Sequence, residues 1–195
     1  SKSLTLRAII VASLSKGESI INNYLECDDS EAVINSLILA GIKIIKKGST
    51  LLVTGNTFKN NNEVFNVRSS ATALRFLIPL FLTKFNEFKI TGNQDLMERP
   101  FDAFVELFSA NDITYSFSDN VYHIKGLLTP GQYEIDGTVS SQFASGLVLA
   151  LSTFKEPSTL IIKNRLVSKP YFDMTLKMIN HFSNNQLKMV GNLVT

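Results

Sequence analysis

The chain contains one cysteine, Cys27, and two histidines, His123 and His181, in 195 residues. A single thiol excludes an intrachain disulfide and fits a reducing compartment, with the cytoplasm as the expectation. Neither histidine has a partner at ligand spacing, so the sequence offers no metal site and calls for no cofactor. Charge of one sign is scarce as well: 19 Lys and Arg against 17 Asp and Glu leave a net +2. Such a field does not advertise nucleic acid, and any anion site has to be built locally. No apolar run approaches the ~18 residues that span a bilayer, and the first residues lack the layout of a signal peptide, so no membrane partner is expected. An initiator methionine is missing too. The chain opens "SKSLTLRAIIVASL", which suggests a piece of a longer protein.

What is present is apolar and repetitive. Hydrophobic residues make up 45% and charged residues 18%, enough for one sizeable core or two small ones. Ser1, Ser69 and Ser140 each open an apolar segment, and three apolar strands close on glycine: "TLLVTG" at Gly55, "VYHIKG" at Gly126 and "QLKMVG" at Gly191. The periodicity predicts helices over Leu6–Leu14, Leu74–Leu82 and Phe143–Leu151. Strands follow over Ser19–Asn23, Glu87–Thr91 and Ser158–Lys163. Second, amphipathic helices cover Ala32–Ala40, Phe101–Ser109 and Tyr171–Phe182. Hairpins close the first two units, Ile42–Ile45 with Leu51–Val53 and Ile113–Phe117 with Val121–Ile124. With "EVFNV" and "GQYEID" as opening strands, the fold class is α/β: a βαβαββ unit used three times, about 1–55, 62–126 and 131–191. The first unit lacks its opening strand. The third is short by about six residues near Ser183–Asn185.

The first helix of each unit is apolar nearly all round, so these helices are expected inside, wrapped by the second helices and the sheets. Serines near their starts put helix N-termini, with free N–H groups and positive dipole ends, where anions bind. Taken singly, each serine reads as an ordinary N-cap. The cations change that balance: Lys2 and Arg7 attend the first helix and Arg75 the second, while Arg99 and Lys169 begin second helices. Asp28 and Asp29, directly before a helix, read as a cap and a first-turn anion rather than an acid/base pair.

The strings "SKSLTLRA", "LECDDSEAV", "SSATALRFLIP", "ITGNQDLMERP", "IDGTVSSQF" and "RLVSKPYFDMT" occur in this order. Together they resemble the 5-enolpyruvylshikimate-3-phosphate (EPSP) synthase family of enolpyruvyl transferases, over essentially the whole chain. The resemblance implies a two-lobed enzyme, each lobe an inside-out α/β barrel of three such units, with only the amino-terminal lobe here. The missing second lobe is then the partner. The implied substrates are the anions shikimate 3-phosphate and phosphoenolpyruvate.

Carried over by motif, Lys2 resembles the lysine that touches both substrates, and it is the catalytic candidate for proton transfer. Ser3 and Arg7 resemble the pair that holds the shikimate carboxylate. Ser140, Ser141 and Ser168 match the hydroxyls around the 3-phosphate. Gln142 and Tyr171 match residues lining the shikimate ring and the adjoining phosphoenolpyruvate, and Arg99 matches the arginine at the phosphoenolpyruvate phosphate. Ala71 stands where the family usually has glycine, and its methyl is expected to narrow the phosphoenolpyruvate site against substrate and the inhibitor glyphosate. Two other readings stay open: an isolated, non-catalytic substrate-binding lobe, and a relative of UDP-N-acetylglucosamine enolpyruvyl transferase. The latter carries a different opening motif, a Lys-Asn pair where this chain has Lys2 and Ser3.

Overall fold

A computed structural model describes residues 1–99, 101–182, 187–191 and 193–195. Helix α1 (Lys2–Leu14) leads into β1 (Gly17–Ile21), α2 (Asp28–Leu39) and the hairpin β2 (Lys43–Lys47) and β3 (Thr50–Gly55). Next come β4 (Val64–Asn66), α3 (Ala71–Phe81), β5 (Glu87–Thr91), α4 (Gln94–Met97), α5 (Asp102–Ser109), β6 (Thr114–Ser118) and β7 (Val121–Lys125). The last run is β8 (Gln132–Asp136), α6 (Ser141–Leu151), β9 (Thr159–Lys163), α7 (Lys169–Phe182), β10 (Met189–Val190) and β11 (Leu193–Val194).

The three sheets share one order: β1-β3-β2, β4-β5-β7-β6 and β8-β9-β11-β10. In each, the later hairpin strand lies inside and the earlier one at the edge. β4 runs parallel to β5 and β8 parallel to β9, while β1–β3 and β9–β11 are antiparallel. A helical crossover between the parallel pairs explains the first relation, and a hairpin folding back explains the second. The α/β class and the recurring βαβαββ order are therefore present, and the first run starts at its helix.

The first helix of each run is buried almost throughout. In α1, Leu6, Ile9, Ile10 and Ala12 are at most 1% exposed; α3 is buried from Phe76 to its end and α6 from Phe143 to its end. Each such Leu or Ile contributes roughly 1.5–3 kcal/mol on burial. The chain divides into two compact units, Ser1–Leu74 with Phe88–Glu98 and Ser116–His123, and Arg75–Glu87 with Arg99–Tyr115 and Ile124–Thr195. In the first unit α1 packs on both α2 and β3, and Val33, Ile34 and Leu37 of α2 and Leu51 and Val53 of β3 are buried in its core. In the second, α6 packs on α7, where the buried Thr175 hydroxyl donates to Ser145 at 3.0 Å, and Leu147, Phe172, Leu176 and Ile179 of these helices are buried.

Several boundaries move from their sequence-based positions. β1 starts two residues earlier, because Gly17, at φ +87°, pairs with Gly55 and Asn23 turns the chain out of the sheet at φ 55°. α2 begins at Asp28 rather than Ala32: the Ser30 hydroxyl accepts from the Cys27 N–H and donates to the Cys27 carbonyl, each at 2.9 Å. The one-turn α4 is new, capped by Asn93, whose side chain accepts from Leu96 N–H at 3.0 Å. At the third hairpin Gly191, at φ +60°, precedes the closing strand β11 instead of ending it. The six-residue shortfall expected near Ser183–Asn185 lies outside the described residues.

Candidate functional site

In the first unit the site residues gather around the start of α1. The Ser1 side chain makes no cap hydrogen bond to this helix, and the first turn holds no acid. Lys2 instead meets Asp29 of α2, with Nζ 3.2 Å from Oδ2. The other Asp29 oxygen accepts from the Ser70 hydroxyl. One turn on from Ser3, Arg7 is only 2% exposed, and its Nη1 donates to the Ser3 carbonyl at 2.9 Å. A guanidinium sheltered this way interacts more strongly with any carboxylate it meets than one in water would.

The serine pair before α3 divides its duties differently from the sequence reading. Ser70, not Ser69, is the cap: its Oγ accepts from Ala73 N–H at 3.1 Å. Ser69 donates to Asp28 at 2.8 Å, and Arg68 donates to the same carboxylate at 3.0 Å. These two donors, the Ser69 hydroxyl first, hold the Asp28 carboxyl below its ordinary range. Both aspartates lie in the first turn of α2, so neither is its cap. Ala71 opens α3 and is half-buried.

The second unit carries Arg99, Ser140, Ser141, Gln142, Ser168 and Tyr171. The hydroxyls are carried by two loops whose backbones are tied together. One leaves β8 through Asp136 and Gly137 to Ser140, which caps α6 by accepting from Gln142 N–H at 3.2 Å. The other leaves β9 and reaches Ser168, which has φ 53°, directly before α7. They are clasped at Gly137, whose N–H donates to the Lys163 carbonyl at 2.9 Å and whose carbonyl accepts from Val167 N–H at 3.0 Å. A Cβ on Gly137 would stand 2.9 Å from Leu166 Cα, so only glycine permits this approach. Asp136 adds a second tie by accepting from Thr138 N–H at 2.7 Å and from Asn164 at 3.1 Å. Those hydrogen bonds, the Thr138 N–H first, lower its carboxyl. Ser141 is 4% exposed, whereas Ser168 is exposed and Tyr171 is 48% exposed.

Arg75 is the residue that the sequence noted as a helix cation without assigning it to the site. Its guanidinium donates to Gln142 Oε1 at 2.6 Å and lies 4.7 Å over the Phe143 ring. Burial first, then the positive charge of Arg99, pushes it below its ordinary value. Pro79 lies one turn along α3 and lacks the N–H that would hydrogen-bond the Arg75 carbonyl. Gly146 of α6 packs on that carbonyl, so Gln142, one turn earlier on the same helix, faces the Arg75 side chain. The helix-breaking proline within an apolar run was the available signal. Arg99 itself is exposed.

The remaining candidates carry little. His181 stacks edge-on against Phe182 at 5.4 Å, and His123 lies on β7. Among the described residues no helix is long and apolar enough to cross a membrane.

Residues 1–187 match the family model described as EPSP synthase (3-phosphoshikimate 1-carboxyvinyltransferase). A 3-phosphoshikimate 1-carboxyvinyltransferase of Clostridium perfringens is 39% identical over 186 residues, covering 93% of this chain and 44% of that protein. The chain thus spans less than half the length of the curated relatives it matches. The fold is that of an EPSP synthase from Acinetobacter baumannii, with TM-score 0.82 at 20% identity over 100% of this chain and 44% of the other. The enolpyruvyl transferase NikO from Streptomyces tendae is also similar, with TM-score 0.65 at 14% identity over 99% of this chain and 46% of the other. With its motifs, its fold and this match in agreement, the chain belongs to the EPSP synthase family.

Proposed function

We propose that this chain supplies the shikimate-3-phosphate half-site of a 3-phosphoshikimate 1-carboxyvinyltransferase, whose remaining lobe completes the active site. In that reaction the 5-hydroxyl of shikimate 3-phosphate attacks C2 of phosphoenolpyruvate as C3 takes up a proton. Elimination of inorganic phosphate then yields the enolpyruvyl ether. On this reading Arg7 and Ser3 hold the shikimate carboxylate, and Ser140, Ser141 and Ser168 surround the 3-phosphate. Gln142 and Tyr171 line the ring. Lys2 spans both substrates and transfers protons. Arg99 attends the phosphoenolpyruvate phosphate, with Arg75 beside Gln142 as a further cation, and Ala71 narrows that end against phosphoenolpyruvate and glyphosate. The three repeats at about 1–55, 62–126 and from 131 onward are the scaffold, and the cytoplasm is the compartment.

The observation that carries the reading is the Gly137 clasp, which fastens the loop bearing Ser140 and Ser141 to the loop bearing Ser168. Such an arrangement of hydroxyls and helix N-termini suits a dianionic phosphate. Phosphoenolpyruvate and shikimate 3-phosphate repel one another, and each cation at ~4 Å offsets roughly 4 kcal/mol at an effective dielectric near 20. A second reading is a binding lobe without turnover, in which the same residues hold the ligand and no proton is transferred.

Calorimetric titration with shikimate 3-phosphate tests both. The chain alone is expected to bind weakly and saturably, to bind phosphoenolpyruvate more weakly still, and not to turn over, since each 1.4 kcal/mol of lost contacts costs about tenfold in affinity. Ser141→Ala and Arg7→Lys, which keeps charge but loses the planar fork, should each weaken it. No saturable binding at millimolar ligand, or equal binding by both variants, overturns the half-site.

A further inference from the structure

Lys2 occupies a position that helix physics disfavours. A cation in the first turn faces the positive end of the macrodipole, and α1 offers it no first-turn acid and no side-chain cap. The compensating charge comes from another element: Asp29, in the first turn of α2, stands 3.2 Å from the Lys2 ammonium. Asp29 is in turn fixed from a third element, because its second oxygen accepts from the hydroxyl of Ser70. Ser70 is 2% exposed and immobilised as the cap of α3. The lysine side chain is 53% exposed and the aspartate 22%, so the pair adds little to stability. A cation placed against its local preference, then tethered by a carboxylate that is itself anchored, matches a group held for a ligand rather than for the fold.

We infer that Asp29 is the positioning residue for Lys2: anchored through Ser70, its carboxylate holds the ammonium at the mouth of α1, aimed at the anionic substrate. This rests on the reading of Lys2 as a substrate contact. It also separates the two aspartates of "CDDSE", since Asp28 is engaged by Ser69 and Arg68 and holds no part of Lys2.

Neutralising Asp29 should act on anion binding in the direction opposite to simple electrostatics. If Asp29 were only a nearby negative charge, its neutralisation would tighten anion binding. As the anchor of Lys2, Asp29→Asn should weaken shikimate 3-phosphate binding by about threefold, the scale of an exposed ion pair, with Asp29→Glu restoring part of the loss. Side-chain NMR relaxation at the Lys2 ε-methylene supplies a readout independent of ligand: its order should fall in Asp29→Asn and stay unchanged in Asp28→Asn. Unchanged Lys2 order, or unchanged or tighter binding in Asp29→Asn while Lys2→Ala weakens it, overturns the positioning role alone. If Lys2→Ala binds as well as wild type, or wild type does not bind, the substrate-contact reading fails and takes this inference with it.

Discussion

Replacing Gly146 by alanine pits local helix preference against tertiary packing. Within an isolated helix the change favours alanine by about 1 kcal/mol. Here an added Cβ would stand 2.1 Å from the Arg75 carbonyl oxygen, 3.0 Å from its carbon and 3.2 Å from Phe76 Cα. Ordinary contact begins at 3.4 Å, so α3 and α6 must part locally by about 1.3 Å. All three opposing atoms are backbone, and no rotamer change relieves them. The side chains flanking the contact, Phe76, Leu77, Leu147 and Ala150, are each at most 1% exposed. Opening a gap beside them forfeits a quarter to a half of each dispersion contact. Overpacking of this kind costs about 3–4 kcal/mol gross, hence about 2–3 kcal/mol after the helix gain is subtracted. For a chain of this size the melting midpoint should fall by about 4–12 °C. The displaced helix should also lose the Arg75–Gln142 hydrogen bond. Gly131→Ala is the control, with nothing among the described residues within 4 Å of its added methyl, and it should stay within about 0.5 kcal/mol of wild type. Thermal unfolding of both variants decides the matter. A Gly146→Ala midpoint equal to or above that of wild type refutes the argument.

The hydroxyl of Ser36, 2% exposed in α2, is buried without a hydrogen-bond partner among the described residues; Ser36→Ala should stabilise by about 1 kcal/mol, seen as a higher urea midpoint at unchanged slope. The folded-state value of Asp136 lies below the ordinary carboxylate value of 3.8, so its clasp contributes stability above that value, lost as pH falls through the lowered one. The stability gap between wild type and Asp136→Asn should therefore be widest at neutral pH and close in acid; a gap that stays constant with pH rejects the charged clasp. Finally, on the proposed function, Ala71→Gly in the enzyme completed by its second lobe should lower the inhibition constant of glyphosate by removing a methyl from the proposed phosphoenolpyruvate end. Unchanged inhibition would show that Ala71 does not crowd that site.

The elements themselves were legible because the information for them is local. Apolar residues at helical spacing marked α1, α3 and α6, and alternation marked the strands, so their order could be read directly. Boundaries were less legible where hydrogen bonds compete. Ser69 and Ser70 have the same chemistry and each donates to a carboxylate, Ser69 to Asp28 and Ser70 to Asp29, yet only Ser70 also caps α3, a difference that residue type does not encode. Likewise "QLKMVG" looks like "TLLVTG", yet β11 follows Gly191 because pairing with β9 outweighs the resemblance.

The sequence by itself determined the α/β class, the repeated order of elements, the burial of the first helices and, through its strings of polar motifs, the family. It could not contain the contacts that join those motifs. Arg75 reaches Gln142 across 67 positions and Asp28 reaches Ser69 across 41, distances at which periodicity carries no information. Those pairings were decided by tertiary packing: by Gly137 and Gly146 admitting backbones that any side chain would hold apart, and by Pro79 leaving one carbonyl without its helical donor. Local preference selects helix or strand within a few residues. Which polar groups then meet depends on the shape into which the buried faces close.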